Sequence, residues 1–93
     1  MTQRGTAMIT VYSKPSCVQC TATYRSLEAK GLEYRVVDVT TNDNALEYVK
    51  GELGYLGAPV VVVSEHDHWT GFRPDHIDRV AKGGATENEG VTP

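Results

Sequence analysis

The chain lacks several features that would place it in a broad class of proteins. It has no apolar run near the roughly 20 residues that a membrane-spanning helix needs. It also lacks an excess of basic residues, because nine Lys and Arg stand against twelve Asp and Glu, for a formal net charge of -3. A nucleic-acid-binding surface needs a basic stripe to neutralise phosphates. The composition therefore argues against a membrane protein and against a nucleic-acid-binding protein.

The N-terminal residues lack the apolar core of a secretory signal, since residues 1–7 are mostly polar. The apolar content of 40% and the charged content of 23% are ordinary values for one globular domain. We therefore expect a cytoplasmic monomer with one domain over residues 8–82. Residues 1–7 are expected to form a flexible extension, and residues 83–93, which show no apolar periodicity, a disordered tail.

Cysteine is also scarce: the chain has only two, Cys17 and Cys20, which is too few for a disulfide framework. A bridge between residues three positions apart closes a very short loop and removes little entropy from the unfolded chain. Such a bridge contributes little to stability, so the pair is better explained by chemistry. In a cytoplasmic protein, two cysteines close in sequence indicate a redox or metal-binding function.

The apolar and turn-forming residues predict the element order β-α-β-α-β-β-α. Valine-rich or β-branched segments predict four strands, and periodic apolar residues with helix-ending signals predict three helices. A strand–helix–strand start favours a parallel pair with a right-handed crossover, and the last two strands are close enough for a hairpin. The predicted strands cover residues 8–13, 34–39, 60–63 and 68–70, and the helices begin near residues 17, 43 and 74. The pattern alone predicts a small α/β protein with a mixed sheet.

The second predicted helix has the least regular sequence. Thr41 or Asn42 can cap its N-terminus, and Leu46, Val49 and Leu53 are predicted to share its buried face. A glycine, Gly51, lies inside it and weakens the prediction of its C-terminal end.

The two cysteines are predicted to play different roles. Cys17 lies at the start of the first helix, where unpaired backbone N–H groups and the helix dipole stabilise a thiolate, and Lys14 adds positive potential nearby. Cys20 lies one turn further in and is expected to be more buried. Hence Cys17 is the predicted nucleophile and Cys20 the resolving thiol. Val18 and Gln19 between them carry no charge that would oppose a thiolate.

Other interpretations of the cysteine pair remain open. A structural zinc site usually has four ligands, whereas the chain offers two thiols, with His66 and His68 more than 40 residues downstream. We therefore expect no metal, and we expect these histidines and His76 to be solvated residues. A redox-inert interaction domain is a further alternative.

Three segments together carry a resemblance to a known family. They read V-Y-S-K-P-S-C-V-Q-C over residues 11–20, A-P-V-V over residues 58–61 and W-T-G-F-R-P-D over residues 69–75. In these segments the chain resembles the NrdH-redoxins, which are glutaredoxin-like proteins, and the resemblance extends from about residue 8 to residue 81. It implies a thioredoxin fold, in which a four-stranded mixed sheet is flanked by three helices.

The same resemblance implies a function. It predicts a dithiol–disulfide oxidoreductase without a bound cofactor, which donates electrons to the large subunit of class Ib ribonucleotide reductase. Thioredoxin reductase would reduce it at the expense of NADPH. A glutathione-dependent glutaredoxin is the alternative within this class. It is less favoured because the valine strand is not followed by the paired glycines and acidic residue that commonly hold glutathione.

The resemblance also assigns a role to Pro59. In thioredoxin-like folds, a cis-proline precedes a central strand and faces the dithiol, so the Ala58–Pro59 bond is expected to be cis, an uncommon state for a peptide bond. The backbone of Ala58 would then be offered to an extended partner segment. Gly57 stands where many relatives have a longer polar side chain.

The segment over residues 69–75 contains the remaining candidate residues. Trp69 and Phe72 are candidate partner-binding residues. Trp69 is expected either to fill the core or to form a docking surface near the sulfurs, and the resemblance favours some exposure, because large exposed aromatic side chains concentrate at interfaces. Arg73 and Asp75 are expected to form a charge-assisted hydrogen bond that fixes the turn into the last helix.

Overall fold

The computed structural model describes residues 9–83, and it confirms the predicted order of elements. The extension expected over residues 1–7 lies outside the described residues, and so does the tail expected over residues 83–93 except for Gly83, which is the last residue of the final helix. Every helix within residues 9–83 is too short or too polar to cross a membrane. The strands are β1 (Ile9–Ser13), β2 (Tyr34–Asp38), β3 (Val60–Ser64) and β4 (Asp67–Thr70). The helices are α1 (Val18–Ala29), α2 (Asp43–Glu47), which continues into a π-helical turn (Tyr48–Glu52), and α3 (Pro74–Gly83).

The four strands form one mixed sheet in the order β2-β1-β3-β4. β1 runs parallel to β2 and antiparallel to β3, and β3 and β4 form an antiparallel hairpin. The parallel pair is connected through α1, as a strand–helix–strand unit requires. The expected thioredoxin-type sheet, including the edge position of β4, is therefore confirmed.

The core lies where the two central strands meet the helices. Val11 of β1 and Val61 of β3 face each other across the pair and are fully buried. Leu27 of α1 and Ile77 of α3 are equally inaccessible and complete the same cluster. The run of four valines in β3 is buried at three positions and half-buried at Val62, which agrees with the prediction of a strand covered on both faces.

The sequence of α2 produces an unexpected buried face. Asn42 caps the helix, and its side-chain oxygen accepts the backbone N–H of Ala45 at 3.0 Å. Ala45 and Val49 are buried, whereas Leu46 is 37% exposed, so the predicted place of Leu46 on the buried face is wrong. Ala45 and Val49 are four residues apart, which places them on one face of the helix, whereas Leu46 lies about 100° further round the helix axis than Ala45.

Replacing Asn42 by alanine is expected to lower the free energy of unfolding by about 1 kcal/mol, because the N–H of Ala45 loses its partner. Urea unfolding followed by circular dichroism measures this change. Asn44→Ala, at an exposed position in the same helix, is the matched control and should change stability by less than about 0.5 kcal/mol. Equal effects of the two substitutions would show that the cap contributes nothing specific.

Candidate active site at the N-terminus of α1

Cys17 and Cys20 form a disulfide across the first turn of α1, with 5.2 Å between their Cα atoms. The two residues differ in accessibility, as predicted: Cys17 is half-buried, whereas Cys20 is only 2% exposed. A partner can therefore approach Cys17 from outside the protein, while Cys20 is reached only from Cys17.

Cys17 is itself the N-cap of α1. Its backbone is extended, with φ -108° and ψ 105°, and its sulfur accepts the backbone N–H of Cys20 at 3.2 Å. Ser16, just before it, has a positive φ of 57° and turns the chain from β1 into the helix. The sulfur of Cys17 therefore lies where helix N–H groups and the helix dipole both stabilise negative charge. This is the environment in which a cysteine ionises to an attacking thiolate.

The Ala58–Pro59 peptide bond, which the resemblance assigns to the site, is cis, as expected. Pro59 is buried, and its carbonyl oxygen accepts two hydrogen bonds from the end of β4 and the turn that follows. These come from the Thr70 hydroxyl at 3.0 Å and from the Gly71 N–H at 2.8 Å. These two hydrogen bonds connect the cis peptide to Thr70 and Gly71, within the segment over residues 69–75.

A contact that the sequence did not predict connects this segment to the cysteines. The side-chain Oε1 of Gln19 accepts the backbone N–H of Phe72 at 2.9 Å. Gly71 has a φ of 87°, and a Cβ atom at this position would lie 3.4 Å from the same oxygen. Sequence reasoning noted only that Gln19 is uncharged, because no local pattern connects residues so far apart in the chain. This hydrogen bond holds the backbone of Phe72 beside the turn that contains Cys17 and Cys20.

Arg73 and Asp75 form the expected forked pair, with hydrogen bonds of 3.2 and 2.9 Å from the guanidinium to the two carboxylate oxygens. The hydrogen bond from Arg73 is the main reason that the pKa of Asp75 lies below its ordinary value. Both side chains are about half exposed, so solvent screens the pair and its contribution to stability is small. The pair lies at the turn into α3, where the charge-assisted hydrogen bond was expected.

The expectation of an exposed Trp69 is wrong. The residue is 5% exposed and belongs to the core cluster, because the alternation along β4 points it inward opposite Val61. Its ring stacks on that of His76 with centroids 4.7 Å apart, and the Arg79 guanidinium lies 5.9 Å from its centre. The indole N–H is buried, and no group among residues 9–83 accepts it.

The histidines differ in their surroundings. His66 is exposed as expected, whereas His76 is half-buried against Trp69. His68 is half-buried too, and its Nδ1 lies 3.0 Å from the Tyr55 hydroxyl. Among residues 9–83, no three potential metal-ligating side chains come together.

The remaining candidate residues lie at the surface beside Cys17. Lys14 and Val18 are exposed, and Val18 is 83% accessible although it is apolar. Tyr12, at the end of β1, packs against Tyr48 with ring centroids 5.7 Å apart. Burial is the main reason that the pKa of Tyr12 is raised above its ordinary value.

Comparison with known proteins agrees with this geometry. The family model described as Glutaredoxin matches residues 9–69. The Glutaredoxin-like protein NrdH of Salmonella typhimurium is 39% identical over 72 residues, which is 77% of this chain and 86% of that protein. The Gene 56 protein of Mycobacterium phage L5 is 38% identical over 74 residues, or 80% of this chain and 72% of that protein.

A solved structure extends the likeness to three dimensions. NrdH-redoxin from Escherichia coli superposes with a TM-score of 0.72 and 37% sequence identity, covering 78% of this chain and 93% of that one. Its fold has the mixed sheet and three helices described above. Sequence, fold and the helix-capping cysteine pair agree, and the chain therefore belongs to the glutaredoxin family of thiol–disulfide oxidoreductases, among its NrdH-redoxins.

Proposed function

We propose that this redoxin donates electrons to the large subunit of class Ib ribonucleotide reductase and that thioredoxin reductase regenerates it with NADPH in the cytoplasm. The observation that supports a dithiol electron donor is the asymmetry of the pair: an accessible Cys17 sulfur at the N-cap of α1 and a buried Cys20 beside it. The similar NrdH-redoxin of Escherichia coli is described as having a thioredoxin-like activity profile, which supports thioredoxin reductase as the reductant.

The exchange proceeds in two balanced steps. The thiolate of Cys17 attacks one sulfur of the partner disulfide, so that a mixed disulfide forms and the partner's other sulfur leaves as a thiolate. Cys20 then loses its proton and attacks the sulfur of Cys17, which releases the second partner sulfur. Two electrons and two protons pass to the partner, and the Cys17–Cys20 disulfide remains. The reductase reverses these changes with two electrons from NADPH.

The surroundings of the dithiol favour a protein reductant over glutathione. Glutathione carries two carboxylates, so its binding needs free hydrogen-bond donors or unpaired cations near the sulfurs. The N–H groups of Gly71 and Phe72 are already bonded to Pro59 and Gln19. Arg73 is paired with Asp75. The segment that follows β4 therefore offers few groups to an anionic tripeptide.

A coupled assay tests the reductant. We expect the oxidised protein to sustain NADPH oxidation with bacterial thioredoxin reductase and class Ib ribonucleotide reductase, and to remain at background with glutathione and glutathione reductase. The Cys17→Ser protein, which lacks the nucleophile, provides the background rate in both systems. Turnover with the glutathione system alone would contradict the proposal and would support the glutaredoxin alternative.

A further inference from the structure

Gln19 is held at both its backbone and its side chain. Its carbonyl oxygen accepts the hydroxyl of Thr23 at 2.8 Å, and Thr23 is fully buried in α1. Its side-chain oxygen accepts the N–H of Phe72 at 2.9 Å. An exposed glutamine is usually free to sample several rotamers in water. Here it connects the dithiol turn to a segment more than 50 residues further along the chain.

The connection continues from Phe72 to the cis peptide. The neighbouring Gly71 N–H binds the carbonyl of Pro59 at 2.8 Å. The positive φ of Gly71, 87°, makes this turn dependent on glycine. Gln19, Phe72, Gly71 and Pro59 thus form a continuous series of contacts between the two parts of the site. None of these hydrogen bonds uses a sulfur atom, so opening the disulfide removes no donor or acceptor from the series.

We propose that Gln19 is a positioning residue for exchange with protein disulfides, because it fixes the cis peptide at Pro59 relative to the sulfur of Cys17. This deepens the proposed function and rests on its dithiol chemistry. A protein disulfide lies in an extended segment that must meet the sulfur and the backbone of Ala58 at the same time. Exchange requires the attacking sulfur and the two sulfurs of the partner disulfide to align. If the backbone of Ala58 moves relative to the sulfur of Cys17, fewer bound partner segments reach this alignment, and productive binding is weaker. A small reagent that touches only the sulfur does not depend on this relation.

Gln19→Met tests the proposal, because methionine has a similar length but lacks the acceptor oxygen. The protein is reduced with dithiothreitol, desalted and mixed with insulin as the disulfide substrate in single-turnover experiments. We expect the half-saturating insulin concentration to rise about two- to tenfold, the range expected for one hydrogen bond, with an unchanged saturating rate. The rate of Cys17 alkylation by iodoacetamide should stay the same. Amide exchange at Phe72 should become faster, which shows that the bond is lost.

Gln19→Glu supplies the conservative rescue, since a carboxylate still accepts the N–H of Phe72. The half-saturating insulin concentration of the Gln19→Glu protein should return to near the wild-type value. The added negative charge should affect the rates of reactions at the Cys17 sulfur instead. Glu33→Met, at an exposed position outside the site, controls for an added methionine. The proposal would be overturned if Gln19→Met left the half-saturating insulin concentration unchanged. It would also be overturned if Gln19→Met slowed alkylation of Cys17 as much as it weakened insulin reduction, or if Gln19→Glu did not restore the wild-type value. The experiment contains no reductase, so failure of the proposed electron source appears separately in the coupled assay.

Discussion

Serine in place of Cys17 is expected to abolish disulfide reduction, with a loss of about a thousandfold or more, the scale on which removal of a nucleophile acts. A hydroxyl at this position still caps α1, because serine is a favoured N-cap residue and can accept the N–H that the sulfur accepts now. The fold should therefore survive, and the loss should be chemical. Insulin reduction by the dithiothreitol-treated protein measures the rate, and circular dichroism checks the fold.

Serine in place of Cys20 is expected to stop the reaction halfway. Cys17 remains able to attack, but no second thiol lies within α1 to release the partner, so the mixed disulfide accumulates. Non-reducing mass spectrometry should detect a covalent adduct with Cys20→Ser and none with Cys17→Ser. Adducts of similar yield in both variants would mean that the two sulfurs are equivalent, contrary to the difference in their burial.

The fold was predictable because its signals are local. The strand ranges and the start of each helix depend on residues within a few positions of one another, and both were predicted to within one or two residues. The place of Leu46 was not predictable in this way, because Ala45 and Leu46 lie four and three residues before Val49 and either spacing allows a shared face. Tertiary packing decides between them, and it buries Ala45.

The site was predictable only in part, for the same physical reason. The positions of Cys17 at the start of α1 and of the more buried Cys20 one turn further in follow from local helix geometry, which the sequence indicates directly. The bond from Phe72 to Gln19 depends on tertiary packing, and a glutamine between two cysteines carries no local sign of it. Whether Trp69 faces the core or the solvent depends on the pairing register of β4 with β3, which sets the orientation of every side chain on the strand.

Alanine in place of Trp69 is therefore expected to destabilise the protein, not merely to weaken partner docking. The indole is 5% exposed, packs in the core cluster and is stacked on His76, so its removal leaves a large cavity. We expect a loss of about 3–5 kcal/mol in the free energy of unfolding. This is a large share of the roughly 5–15 kcal/mol that holds a domain folded. Urea unfolding must be followed by circular dichroism, because the chain has no other tryptophan for fluorescence.

Two further variants separate burial from docking. Trp69→Phe should lose less stability than Trp69→Ala, since phenylalanine fills part of the space that alanine leaves empty. Leu56→Ala, at a position 88% exposed, should change stability by less than about 0.5 kcal/mol. A Trp69→Ala protein as stable as the wild type, but slower with protein substrates, would support the exposed docking residue that the sequence suggested. The burial of the ring predicts instead that Trp69→Ala lowers stability. Any effect on protein substrates should be indirect, because Thr70 of the same β3–β4 hairpin donates a hydrogen bond to the carbonyl of Pro59 and a loosened hairpin weakens this contact.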